Sequence, residues 1–159
     1  MITGKEAEEI FEAICAEHRA MTIAVVDAAG LPWSAPVYYL YQYRDNEKAF
    51  YFLSSPRSRH LEALQKEASL QASVAIYNEP EAYEEIRGLQ MSGIIEEISS
   101  LQERAKLLLA FGKRFSFFDK FLAQPVLIKE LEKNKLYRFI PQSIFIVHNE
   151  VSFGQRITL

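Results

Sequence analysis

The chain has 159 residues, 49% of them hydrophobic and 25% charged, with a formal net charge of −3 and a sequence pI near 5.7. That length fits one domain with a core of its own, and the mild acidity argues against nucleic acid or an anionic membrane as partner of the whole surface. The single cysteine, Cys15, excludes an internal disulfide, while the lack of a bilayer-length apolar run and an acidic start unlike a secretory signal predict a cytoplasmic protein that does not span a membrane.

The first segment, "TGKEAEEIFEAICAEH", places Thr3 and Glu6 at capping-box spacing and continues with apolar residues at helical period, predicting a helix over 4–18 with Cys15 on its apolar face. "MTIAVVDAAGLPWSAPVYYLYQY" reads as a strand from Met21 to about Val26, a turn over Asp27–Gly30 and a second strand to Tyr43. Pro32 and Pro36 carry no ladder donor, which assigns the early part of that strand to an edge or a bulge. After the turn "RDNEK", "AFYFLSS" is a third strand, and "SRHLEALQKEA" predicts a short amphipathic helix with Ser58 as its N-cap. "LQASVAIYN" and "IRGLQMSGIIEEI" are two more strands around an acidic loop. "SLQERAKLLLAFGKRF" is a helix with Ser100 and Glu103 at capping-box spacing, a helical turn follows, and "KLYRFIP" and "SIFIVH" are two closing strands around Pro141. The pattern is mainly β with short helices: six or seven antiparallel strands in one barrel over about 20–98, a helical insertion over about 100–132, closing strands over about 135–148 and a tail over 149–159.

The stretch "FYFLSSPRSRHLEAL" concentrates hydroxyls and cations where a strand gives way to the predicted helix. A phosphate needs short-range donors and a compensating charge. Ser54, Ser55 and Ser58 supply hydroxyls, Arg57 and Arg59 guanidinium forks, and His60 a ring nitrogen. The competing reading is a solvated helix start whose serines cap and whose arginines pair with Glu62 or Glu67. Elsewhere, Tyr38, Tyr39, Tyr41 and Tyr43 share one strand, and Phe111, Phe115, Phe117, Phe118 and Phe121 are too crowded for one helix face. The tyrosines read as core or dimer packing, or as a face for a flat ligand, and the phenylalanines as core, or as a wall over a planar ring. His18, His60 and His148 lie far apart, with no paired metal-ligand spacing, so no metal site is expected. No Ser-His-Asp motif, Walker loop or paired-carboxylate motif marks catalytic residues.

The order of these segments resembles the pyridoxamine 5′-phosphate oxidase-like, FMN-binding split-barrel family, through Pro36, Ser54, Ser58-Arg59-His60, Gly93 and the closing "LYRFIPQSIFIVHN". "IRGLQMSGIIEEI" and the late "SFG" are similar to a small, mostly uncharacterised bacterial branch of it. The resemblance implies a split antiparallel β-barrel and a homodimer with FMN at the subunit interface, acting as an oxidoreductase on a small molecule. It places the phosphate at Ser54, Ser55, Ser58, Arg59 and His60, and the ring near the backbone of Ala35, Pro36, Val37 and Tyr38. Arg87 and Gln90 flank the place, near Gly88, from which a family Gln reaches the flavin. His60 stands where the family has Lys, and "HNEVSFGQRITL" lacks the Arg-and-His motif of true pyridoxamine phosphate oxidases, so vitamin B6 oxidation is not implied. A deazaflavin or haem is the alternative cofactor. Haem binding or degradation on the same barrel would use His60 or His148, and a non-catalytic dimeric module would follow from the departures at His60 and Gly88.

Overall fold

Helix α1 (Gly4–Glu17) starts where its cap is encoded: Glu6 N–H donates to Thr3 Oγ1 at 3.3 Å, and Thr3 N–H returns a bond to Glu6 Oε2 at 2.7 Å. Its inner face buries Ala7, Phe11, Ile14 and Cys15 against the sheet, and burial pushes the Cys15 thiol pKa far up, so the sulfur packs as a small apolar group. The computed structural model describes residues 2–159, apart from the side chains of Phe121, Leu122 and Glu130; the expectation for Phe121 lies outside the described residues.

Among the described residues, eight strands form one antiparallel sheet: β1 (Ala20–Val26), β2 (Pro32–Tyr38), β3 (Leu40–Arg44), β4 (Glu47–Ser54), β5 (Leu70–Tyr77), β6 (Arg87–Glu97), β7 (Lys135–His148) and β8 (Arg156–Thr158). Their order is β2-β1-β5-β6-β7-β4-β3, with β8 added to β7. The two end strands, β2 and β3, are therefore chain neighbours. The sheet curls until its ends meet at Tyr39 without pairing along their length, which is the split of the barrel. The single strand expected to run to Tyr43 breaks there because Tyr39 leaves the ladder. Its N–H donates to Arg19 O at 3.1 Å, its hydroxyl to Cys15 O at 3.0 Å, and its ring is 0% exposed. The proline-bearing β2 lies at a sheet end, where a missing donor costs no ladder bond. A two-residue turn, Asp45 and Asn46 both at positive φ (51° and 66°), joins β3 to β4 in the geometry that matches strand twist.

Three further expectations are corrected. The strand count is eight rather than six or seven, because the tail contributes β8. The two closing strands are one, β7: the pairing shifts between Ser92 and Gly93, so Gln142 is an extra residue and the ladder passes Pro141 as a bulge. A Cβ on Gly93 would press into the Ile140 carbonyl, so only glycine lets β7 approach there. The helix expected after Ser58 shrinks to a 3₁₀ turn, Glu62–Gln65, because successive i→i+3 bonds (Ser58 to Ser55, Leu61 to Ser58, Leu64 to Leu61) turn the chain inward and bury His60 and Leu61.

The insertion between β6 and β7 holds α2 (Leu101–Arg114), capped by Ser100 through Glu103 N–H at 3.3 Å, then α3 (Phe117–Leu122) and α4 (Pro125–Glu132). These helices build a second apolar cluster, with Phe111, Phe115 and Phe118 against Tyr51 and Leu136, on the outer side of β4 and β7. The main cluster lies between the inner sheet face and α1, around Phe11, Phe50, Phe52 and Phe139. No helix among the described residues is long and apolar enough to cross a membrane.

Candidate functional site

The corner after β4 divides into two halves. In the inner half, Ser54 Oγ lies 3.1 Å from His60 Nε2 and 3.2 Å from Ser58 Oγ, a three-member chain running outward from a ring that is 8% exposed. Burial pushes the His60 pKa below its ordinary value, so the ring is neutral at pH 7 and brings no cation. With its hydrogen on Nε2, His60 donates to Ser54, Ser54 donates to Ser58, and the Ser58 hydroxyl hydrogen is left for a group outside.

In the outer half, Arg59 Nε donates to Asp27 Oδ2 at 2.6 Å, and its guanidinium carbon lies 4.0 Å from the centre of the Trp33 ring. The Asp27 carboxylate is in turn fixed by Ala29 and Leu31 N–H groups on Oδ1, at 3.0 and 2.8 Å, in the β1–β2 turn. The Leu31 bond first, and then Arg59, hold the Asp27 carboxyl below its usual pKa. Asp27 and Trp33 are the site residues that sequence reasoning missed. Asp27 looked like an ordinary turn aspartate, and nothing local marks a partner 32 residues later. Its consequence is geometric: Arg59 is tied through Trp33 to β2, two residues before Ala35, so the corner and the Ala35–Tyr38 segment adjoin. Among the described residues, the two terminal nitrogens of Arg59 have no hydrogen-bond partner and stay available to an anion.

The remaining expected residues disperse. Ser55 Oγ accepts the Arg57 N–H at 3.2 Å, which fixes the turn, and Arg57 is exposed. Along β2, Pro36 and Tyr38 point outward while Ala35 and Val37 are half-buried. Arg87 forms an ion pair with Glu17 of α1 at 2.5 Å and donates its N–H to Asn78. Gln90 accepts from Arg156 Nε at 2.9 Å. Through the register Pro36↔Thr22, Thr22↔Ala75, Ala75↔Gln90, it shares an outer row with Pro36 three strands away, roughly 14 Å at ordinary strand spacing. Gly88, at the place of the family's flavin-reaching Gln, has no room for a side chain, since a Cβ there would press into the Ile76 carbonyl. Arg87 and Gln90 thus do not join the corner within one chain.

A separate cavity of about 400 Å³ lies between α1 and the end of β7, lined by Ile10, Ile14, Arg87, His148 and Val151. Among the described residues, His148 Nδ1 is buried there without a hydrogen-bond partner. No three His, Cys, Asp or Glu side chains among the described residues are grouped to hold a metal ion.

The sequence matches the family described as pyridoxamine 5′-phosphate oxidase over residues 6–136. No curated protein matches it. Among solved structures the chain is similar to HutZ, described as a haem storage protein from Vibrio cholerae (20% identity, 92% of this chain and 95% of that one, TM-score 0.66). It is also similar to a haem binding protein from Mycobacterium smegmatis (18% identity, all of this chain but 59% of that one, TM-score 0.70). A Listeria innocua protein provisionally named pyridoxamine 5′-phosphate oxidase shares 17% identity over 90% of this chain and 99% of that one, with a TM-score of 0.65. At such identities the likeness is one of fold, and the match that spans most of the sequence carries the assignment: the chain belongs to the pyridoxamine 5′-phosphate oxidase family.

Proposed function

We propose that the chain is a cytoplasmic, homodimeric FMN-binding oxidoreductase of this family, acting on a small molecule other than a B6 vitamer. The observation that carries the reading is that neighbouring residues at one corner hold a Ser58 hydroxyl bonded to Ser54 and an Arg59 guanidinium stacked on Trp33 of β2, its terminal nitrogens without a partner among the described residues. These groups fit a phosphate: with the His60 hydrogen on Nε2 the Ser58 hydroxyl is left to donate, and Arg59 offers a half-exposed fork. Asp27 offsets part of the Arg59 charge and also fixes where the fork points. His60 takes no share of the anion's charge; it orients Ser54 and thereby Ser58. Bound FMN would supply two-electron redox chemistry through its ring, while the chain's own residues hold the phosphate and shape the ring's surroundings.

The dimer has its own support. The outer face of β2, β1, β5, β6 and β7 carries the cross-strand rows Ser34–Ala24–Ser73–Ser92–Ser143, uncharged and low, and Pro36–Thr22–Ala75–Gln90–Phe145, where Arg156 of β8 reaches over to Gln90. A second sheet can lie flat on such a face, and Pro36 at its margin would bring the β2 segment to the interface. Purified protein mixed with FMN should show a perturbed flavin spectrum. Arg59→Ala should weaken FMN about tenfold while leaving riboflavin nearly unchanged, the scale of one charge-assisted contact. Equal losses for both flavins, or no FMN binding at tens of micromolar, sink the reading.

Haem binding is the second reading, favoured by the orphaned His148 Nδ1 beside the cavity under α1 and by the two haem-named structural neighbours. It requires a Soret band on haemin titration that His148→Ala removes.

A further inference from the structure

The helical insertion forms a half-open cleft with two lobes against the outer side of β4 and β7. The narrow lobe, about 160 Å³, is walled by Tyr38, Phe111, Phe115, Phe117 and Phe118. The wide lobe, about 520 Å³, is walled by Leu53, Leu108, Ile128, Leu131 and Leu136. Leu53, Phe118, Leu131 and Asn134 border both, so the lobes are immediate neighbours. Its size is that of a small-molecule site, and such sites carry a few placed polar groups on an apolar wall. Two half-buried ones are present: Asn134 at the junction of the lobes and Arg104 on the wide lobe. Among the described residues neither side chain has a hydrogen-bond or ion-pair partner. That sets Arg104 apart from Arg59, Arg87, Arg114 and Arg138, each of which is engaged by a carboxylate or a carbonyl. Glu132 also borders the wide lobe, but it is exposed and lies beyond ion-pair distance of Arg104.

We propose that this cavity binds a monocarboxylate with an aromatic tail. The ring enters the narrow lobe, where five aromatic side chains offer edge-to-face contact. The apolar linker fills the leucine-lined lobe, and the carboxylate meets the Arg104 fork, which is partly withdrawn from water and lacks a counter-ion. Asn134 is placed to bond a polar substituent midway. Tyr38 belongs both to the narrow lobe and to the β2 segment assigned to the flavin ring. Under the flavin reading the ligand's ring therefore lies beside FMN, as a substrate's would. The cavity itself does not depend on that reading.

The test is calorimetric titration of the full chain, without added flavin, with 6-phenylhexanoate and with the uncharged 6-phenylhexanol. The acid should bind more tightly than the alcohol. Arg104→Gln should weaken the acid about tenfold and move the alcohol less than about twofold. Leu108→Trp, filling the wide lobe, should weaken both, with circular dichroism confirming that each variant is folded. No binding of the acid to the native protein, equal losses for acid and alcohol in Arg104→Gln, or unchanged binding of both in Leu108→Trp overturns the proposal. FMN is titrated separately by flavin absorbance, so failure of the flavin reading and failure of this site are distinguishable.

Discussion

The chain has two apolar clusters that are built differently. The barrel cluster around Phe50, Phe52 and Phe139 is fenced by strands whose backbone ladders fix every neighbour, with α1 as a lid. The insertion cluster around Phe111, Phe115 and Phe118 is held by helices that share no ladder with the sheet, and a cavity opens through it. A core bounded by ladders cannot relax around a void, because moving one wall breaks hydrogen bonds on both sides. A core bounded by short helices can. The difference separates the part that carries stability from the part that can adapt to a ligand.

The largest expected effect sharpens that contrast. Phe50 is fully buried and packs on Tyr39, Tyr41 and Phe139. Phe50→Ala should cost about 3–5 kcal/mol in urea denaturation, whereas Phe115→Ala, beside an existing cavity, should cost roughly half as much because its surroundings can collapse. A larger loss at Phe115 would break the comparison. Gly93→Ala attacks the ladder rather than the packing. The new Cβ pushes the Ile140 carbonyl off β6, which should cost about 2–3 kcal/mol as an overpacking strain and expose Met91 and Ile144 amides to hydrogen exchange.

One side chain ties the two regions together. Arg114, in the last turn of α2, donates from Nη2 to Cys15 O at 3.1 Å and His18 O at 2.7 Å, capping the C-terminal end of α1. Arg114→Ala should cost about 1.5–3 kcal/mol, the range for bonds to a charged group. It should also raise hydrogen exchange in α2 and α3 more than in β5 and β6. Uniform exchange would mean that the clusters unfold as one.

What was legible in the sequence was local. Thr3 with Glu6, Ser100 with Glu103, the prolines of β2 and the Asp45-Asn46 turn each act within a few residues, so their spacing announces them. The interactions that define the corner are not local. Arg59 finds Asp27 and Trp33 across the barrel, and His60 turns inward because Leu61 is drawn into the core. A helix beginning at Ser58 satisfies the local rules of capping and periodicity. It loses because only Leu61 and Leu64 could anchor it, and burying them with consecutive tight turns keeps the hydroxyls of Ser54 and Ser58 together. The break at Tyr39 and the bulge at Pro141 likewise depend on partners that strand periodicity does not reveal. Segment order, by contrast, was enough to reveal the family, because a fold's sequence of elements survives where single contacts do not.

The smallest expected effect tests whether the corner's inner half is neutral while its outer half is ionic. His60 has a folded pKa below its unfolded value near 6.5, through burial alone. The neutral ring is therefore the native form. Its contribution is complete above pH 6.5 and is lost as pH falls through that value toward the depressed folded pKa, since the unfolded chain binds the proton first. Asp27 also has a depressed pKa, but as a carboxyl it contributes above about pH 4 and fails only below that. The two halves should thus lose stability in separate windows. In urea denaturation between pH 7 and 5, His60→Gln should flatten the decline, by well under the roughly 1.4 kcal/mol per pH unit that one proton sets as a ceiling. His18, whose pKa is also lowered chiefly by burial, contributes in the same range and makes His18→Gln the matched control. Asp27→Asn should leave this window untouched and act only in the more acidic one. If His60→Gln leaves the slope between pH 7 and 5 unchanged while His18→Gln removes it, the His60 ring is not held neutral. The inner half of the corner would then gain a cation as pH falls toward 5, with Nε2–H still donating to Ser54.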